Sequence, residues 1–186
     1  MLDRMKELVN LRKIIPEAQF DIRYATANNF MKMPLYECDQ CFLHPIAATH
    51  LKKAHTALKP HGLNFKIFDG YRPLSIQQKM WDLIQDPRYV SNPADNGGRH
   101  PRGTAIDLTL IDFTGNELLM PTPFDEFSER AHADFSDLPK EALENREFLK
   151  KFMKDYHFEM LSTEWWHFDL IGWEDSSRFP PLEKYF

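Results

Sequence analysis

Cysteine is scarce in this chain, with two in 186 residues, Cys38 and Cys41. A structural zinc on that Cys-x-x-Cys pair would need two more Cys or His at matching spacing, and His44 supplies only a third ligand. A redox pair belongs at a helix N-terminus after a strand, and Pro45 does precede a helical run. Most cytoplasmic cysteines are free thiols, which is the expectation here. Also missing is any run of the roughly 18 apolar residues that a transmembrane helix needs. The first residues, Met1-Leu2-Asp3-Arg4-Met5-Lys6-Glu7, carry charge where a signal peptide has its apolar centre, so the expected location is the cytoplasm. Positive charge is not in excess either: 23 Lys and Arg against 28 Asp and Glu give −5. That balance argues against nucleic acid or an anionic membrane as partner. No repeat, low-complexity tract or linker divides the chain, so residues 1–186 are expected to form one domain with a sizeable core. Without a heptad pattern or an apolar surface stripe, the oligomeric state is not legible.

What the chain does have is ordinary globular composition, 42% hydrophobic and 27% charged, and two unusual segments. The first is Arg99-His100-Pro101-Arg102-Gly103-Thr104-Ala105-Ile106-Asp107. On a helix, His100 and Asp107 would stand two turns apart, about 10 Å along the axis. On an unbroken strand their odd spacing would send them to opposite faces. They converge only if the chain turns between them, and Pro101 and Gly103 are the residues that turn it. From Thr104 to Leu110 the pattern alternates, with Ala105, Asp107 and Thr109 on one face and Ile106, Leu108 and Leu110 on the other. A carboxylate mid-strand on the small, polar face is costly unless paired, hydrogen-bonded or bound to a metal.

The second segment, Glu164-Trp165-Trp166-His167, lies in an aromatic stretch, Leu161 to Leu170, that reads as a strand. A strand puts Trp165, His167 and Asp169 on one face and Glu164 on the other, unless Ser162 and Thr163 form a bend with Glu164 at its rim. A helix would give Glu164 and His167 a shared face directly, but four successive poor helix formers argue against it. Together the two segments supply what a one-zinc hydrolase needs. His100, Asp107 and His167 make three ligands and leave a fourth position for water. Glu164 is a spare carboxylate suited to general base and then acid. Arg72, after the apolar strand Leu63 to Phe68, is the cation best placed for a developing oxyanion.

These pieces resemble a known family. The pattern His-x-x-Gly-x-Ala-x-Asp with Leu-Thr-Leu at 108–110, then Glu164-Trp165-Trp166-His167, preceded by Asp69-Gly70-Tyr71-Arg72-Pro73, is similar to the D-alanyl-D-alanine dipeptidases. These are the VanX type known from vancomycin resistance, within the zinc D-Ala-D-Ala metallopeptidase group. Tyr24-Ala25-Thr26, Asn28-Asn29-Phe30, Tyr36-Glu37, Phe124-Asp125 and Glu129-Arg130 extend the likeness over most of the chain.

The resemblance implies one zinc ion per chain on His100, Asp107 and His167, Glu164 as catalytic base, and Arg72 stabilising the tetrahedral intermediate. It further implies Asp125 as the receptor of the substrate's free ammonium, Tyr24 and Tyr36 as lining of a small pocket, and a D,D-dipeptide as the partner. One position departs from the group: Gly98 stands where Ser is usual, two residues before the first metal histidine, and Arg99 follows. That removes a side-chain contact near the substrate and leaves the dipeptide preference open.

The expected fold is α+β, a mainly antiparallel sheet with helices packed on one side and the zinc site at the sheet, as the resemblance also implies. Strands are expected at residues 18–25, Leu63 to Phe68, Thr104 to Leu110 and Leu161 to Leu170. Helices are expected at Ile46 to Leu58, Ser75 to Ile84 and Glu141 to Tyr156, with a loop from Asp86 to Arg99.

Plainer readings stand beside the chemical ones. Asp107 pairs with Arg102, Arg72 anchors its turn through Asp69, Asp125 caps a short helix through Glu129, and the two tyrosines merely pack. The other six histidines (His44, His50, His55, His61, His132, His157) are read as structural. Two alternative functions share the metal ligands: a D,D-carboxypeptidase or endopeptidase on peptidoglycan stem peptides, and a non-catalytic zinc module like the hedgehog signalling domain. The spare Glu164 with Arg72 argues against the latter.

Overall fold

The computed structural model describes residues 8–183. Its centre is a five-stranded sheet built from β2 (Gln19–Phe20), β4 (Leu63–Asp69), β5 (Ala105–Asp112), β7 (Glu164–Leu170) and β6 (Phe158–Leu161), side by side in that order. Only the β2–β4 pairing is parallel; β4–β5, β5–β7 and β7–β6 are antiparallel. A separate two-stranded ribbon joins β1 (Val9–Asn10) to β3 (Phe42–Leu43).

Cross-strand partners share a face, so the register sorts the sheet into two surfaces. On one, Phe65 faces Leu110, Ile67 faces Leu108, and Ile106 and Met160 flank Phe168. All are buried in a single hydrophobic core. On the other, Asp107 faces His167 and Ala105 faces Asp169.

Two long helices cover the apolar surface. After the single turn α1 (Leu11–Ile14), α2 (Pro45–Leu58) starts on Pro45, whose missing N–H costs nothing at a first turn, with His44 Nδ1 accepting from Ile46 N at 3.2 Å. It stops at a 3₁₀ turn, Lys59–His61, and at Gly62 with φ +70°, a left-handed angle that glycine accepts freely. It buries Leu51 and Leu58, while α5 (Lys140–Asp155) buries Leu149, Phe152 and Met153 in the same core. α3 (Leu74–Ile84) instead brings buried Gln77 toward the polar surface. No helix among the described residues is long and apolar enough to cross a membrane.

The expected helices and central strands lie within one or two residues of the observed ones, and two segments differ. Residues 18–25 pair with the sheet only at Gln19–Phe20 and then coil into a 3₁₀ turn at Arg23–Ala25. There the Tyr24 carbonyl accepts from the amides of Leu35 and Tyr36, so a second loop has taken the place of a strand partner. Leu161 to Leu170 is not one strand but the end of β6, a turn at Ser162 and Thr163, and β7. The loop before His100 also contains one helical turn, α4 (Pro93–Asn96).

Candidate active site

His100, Asp107 and His167 come together at the polar face of the sheet, all buried. His100 lies in a 3₁₀ turn, His100–Arg102, closed by Gly103 at φ +66°; this is the chain reversal that the odd spacing to Asp107 demands. A Cβ on Gly103 would lie 2.8 Å from His44 N, so a side chain is excluded by contact as well as by angle. Asp107 and His167 are direct neighbours across β5 and β7.

The rest of each imidazole fixes its tautomer. His100 Nδ1 lies 2.7 Å from the Gly70 carbonyl and His167 Nε2 lies 2.9 Å from Asp169 Oδ1. Both partners only accept, so these nitrogens carry the protons when the rings are neutral. The remaining lone pairs, on His100 Nε2 and His167 Nδ1, then face each other at 3.2 Å. Asp107 oxygens stand 3.4 Å from the first and 3.0 Å from the second. Asp107 Oδ1 is buried with no hydrogen-bond partner.

Three converging electron pairs repel one another unless a cation sits among them. A tetrahedral zinc with ligand distances of roughly 2.0–2.2 Å holds its ligand atoms about 3.3–3.6 Å apart, close to the separations seen, so the donor set fits a zinc ion. The same preference for positive charge shows in the pKa of His167. Burial opposes its protonation, but Asp169 and Asp107 outweigh that and raise it to about 10.

Glu164 reaches this cluster through an irregularity. β6 and β7 pair regularly from Phe158↔Leu170 to Met160↔Phe168, then the register jumps to Leu161↔Glu164. The jump undoes strict alternation along β7 and brings Glu164 Oε2 to 3.8 Å from His167 Nδ1, at the rim of the cluster rather than on the opposite face. Burial pushes the Glu164 carboxyl up to about 8; His167 draws it down, and Asp107 and Asp125 add to the rise. Such a group gains and loses a proton near neutral pH, as a general base and acid must.

A second irregularity serves Arg72. β4 and β5 pair regularly to Ile67↔Leu108, and the next pair is Asp69↔Asp107. Without the extra residue, Asp69 would follow Phe65 and Ile67 onto the apolar face; the bulge turns it onto the site face. There Asp69 Oδ2 accepts from Arg72 Nε at 3.0 Å and from Nη2 at 2.8 Å, and Gln77 Oε1 accepts from Nη1 at 3.0 Å. Arg72 thus anchors its turn through Asp69 and also points at the cluster, with Nη2 3.9 Å from Asp107 Oδ2.

Asp125 adopts φ +63°, an uncommon angle that Asp tolerates better than most residues. Its carboxylate accepts from the Tyr24 hydroxyl at 3.0 and 3.2 Å. No helix starts there: the nearest 3₁₀ turn is Glu129–Ala131, preceded by Ser128, so the capping reading is replaced by a carboxylate aimed into a cavity. Burial, reinforced by Asp107, pushes Asp125 up to about 7, against the pull of the Tyr24 hydrogen bond. Asp107 does not pair with Arg102 either, whose guanidinium turns away to the carbonyls of Gly98 and Phe179.

One pocket is lined by His100, Asp107 and His167 together with Glu164, Arg72, Asp125 and Tyr24. Tyr36 is the correction. It does not line this pocket but stands behind it, its hydroxyl donating to Asp69 Oδ1 at 2.8 Å and its ring edge-on to Tyr24. Burial among Asp69 and its neighbours made it a support for the Asp69–Arg72 pair rather than a wall. Sequence reasoning gave no role to Asp169, which orients His167, or to Gln77, Ser91 and Tyr89, which line the pocket. The alternation that put Asp169 beside His167 was the one available signal.

Cys41 is a buried free thiol, and Cys38 is half-buried. Neither joins a metal cluster among the described residues.

Comparison with known proteins agrees with this geometry. Residues 4–184 match a family described as D-ala-D-ala dipeptidase. The chain is 42% identical over 180 residues to the D-alanyl-D-alanine dipeptidase of Escherichia coli (strain K12), covering 97% of this chain and 91% of that protein. It is 28% identical to the D-alanyl-D-alanine dipeptidase of Enterococcus faecalis (strain ATCC 700802 / V583), with 87% and 90% covered. It is 29% identical to that of Enterococcus faecium, with 86% and 89% covered. Matched over nearly its whole length, the chain belongs to the D-Ala-D-Ala dipeptidase family of metallopeptidases.

Proposed function

We propose that this protein hydrolyses D-alanyl-D-alanine to two molecules of D-alanine with one zinc ion held by His100, Asp107 and His167. The observation that carries the reading is the convergence of His100 Nε2, His167 Nδ1 and the Asp107 carboxylate on one buried point, with a carboxyl of raised pKa at its edge. A zinc bound there lowers the pKa of water and polarises the scissile carbonyl.

The chain's own groups do the rest. Glu164 accepts the proton of the attacking water and returns it to the departing amine. Arg72, held rigid by Asp69 and Gln77, offers its guanidinium to the oxyanion. Asp125 receives the free ammonium, which selects a dipeptide over the interior of a longer peptide. Tyr24, whose own pKa burial and the Asp125 charge raise well above normal, stays protonated and holds that carboxylate in place. A cytoplasmic location is part of this reading and is checked by cell fractionation.

The test is release of free D-alanine by the purified protein, with and without a chelator, from D-Ala-D-Ala, L-Ala-L-Ala and N-acetyl-D-Ala-D-Ala. Chelator-sensitive cleavage of the free D,D-dipeptide alone is the expected result. Cleavage of the acetylated compound would replace the reading with a carboxypeptidase, and cleavage of none with a non-catalytic zinc module.

A further inference from the structure

A dipeptide brings two charges into the pocket, and the groups described so far meet only one. Asp125 faces the ammonium, while the metal ligands, Glu164 and Arg72 surround the peptide bond. The substrate's carboxylate needs a cation of its own, since an unpaired buried charge is expensive.

Besides Arg72, the arginines lining the pocket are Arg88 and Arg99. Arg88 is closed onto Asp86 through Nε and Nη2 and is 61% exposed, so water already solvates it. Arg72 has Asp69 on two nitrogens and Gln77 on the third. Gln77 itself is occupied at both ends, by Arg72 and by the Ser91 carbonyl.

Arg99 differs. Nε lies 2.8 Å from Asp169 Oδ2, and Nη1 donates to Ser91 Oγ at 3.0 Å. The Nε contact is an ion pair without a hydrogen bond, so of its five N–H groups one is engaged in a hydrogen bond, the one to Ser91. Because Ser91 Oγ accepts from Arg99, its own hydroxyl proton is turned away from the arginine and is available as a donor. Both side chains line the same pocket as the metal ligands. Arg99 is fixed on three sides, by Asp169, by Ser91 and by the Trp173 ring 5.0 Å from its guanidinium carbon. It also directly precedes His100, so its position is set by the same turn that sets a metal ligand.

We infer that Arg99 and Ser91 form the subsite that receives the C-terminal carboxylate of the dipeptide. This rests on the dipeptidase reading above. Asp125 and Arg99 then measure the substrate from its two charged ends, so that a free amine and a free acid are each required.

The experiment compares D-Ala-D-Ala with its C-terminal amide, D-Ala-D-alaninamide, on wild type, Arg99→Gln, Arg99→Lys and Ser91→Ala, with bound zinc measured for each protein. A charge-assisted hydrogen bond of ordinary strength corresponds to roughly tenfold to a hundredfold in KM. Arg99→Gln should raise KM for the acid by that factor, leave kcat within a few-fold, leave the amide unchanged and keep zinc at wild-type occupancy. Arg99→Lys should recover part of the loss, and Ser91→Ala should show a smaller rise confined to the acid. Equal loss on acid and amide together with loss of zinc would overturn the inference, because Arg99 would then act only through Asp169 on His167. An unchanged acid-to-amide ratio in Arg99→Gln overturns it as well. Wild-type protein that cleaves neither compound overturns the dipeptidase reading first, and that outcome is distinct from a variant effect.

Discussion

The two faces of the central sheet are made from the same strands, yet they obey different rules. On the apolar face the register is regular: Phe65 against Leu110, Ile67 against Leu108, Ile106 and Met160 against Phe168. Where those strands reach the polar site the register breaks twice, after Ile67 in the β4–β5 pair and after Met160 in the β6–β7 pair. Each break delivers one functional side chain, Asp69 in the first case and Glu164 in the second. Strict alternation builds the core because burial rewards every second residue in the same way. A reactive centre needs charged groups that alternation would place on the wrong side, and local irregularity is how a strand supplies them.

The sharpest way to test that division is to change one face and read both properties. On the polar face, Glu164→Gln should lower kcat by about 10²–10⁴-fold while zinc stays bound and Tm does not fall. Removing a buried carboxyl whose pKa is raised relieves desolvation rather than losing a contact. Steady-state kinetics, zinc analysis and thermal melting check this together, and normal turnover would refute the assignment.

On the apolar face, Leu108→Ala should do the reverse. Leu108 is fully buried, so the change should cost about 2–5 kcal/mol of stability, read from denaturant titration, with kcat of the folded fraction within a few-fold of wild type. Loss of activity at full folding would show that the two faces are not separable.

The smallest effect concerns pH. Asp125 is raised to about 7 by burial and by Asp107, so its receiving charge is present at higher pH and lost as pH falls. Values of kcat/KM for the free dipeptide should therefore decline below an acid limb at or under pH 7, because positive charge at the ligand cluster draws the value down. Asp125→Asn should abolish that limb and raise KM roughly tenfold to a hundredfold. A limb unaltered in the variant would assign the titration to another group.

Much of this was readable without coordinates. The alternation from Ala105 to Leu110 is visible in the sequence and holds in the structure, and so does the turn at Pro101 and Gly103 that lets His100 approach Asp107. The bounds of α2 follow from Pro45 at one end and Pro60 with Gly62 at the other. Tyr36 shows the limit. Its sequence position says that a tyrosine lies near the site but not which side of Asp69 it approaches, and it proved to be a support behind the pocket.

The sequence by itself determined which residue types are available to the candidate site and the core-forming periodicities, because these depend on side-chain chemistry and on spacing along one strand or turn. Only the tertiary structure decided the two register breaks, the Asp69–Arg72–Gln77 brace and the Arg99–Asp169–His167 chain. Each of these joins residues through strand pairing or loop packing, and a one-residue shift between two strands leaves no mark in either strand read alone.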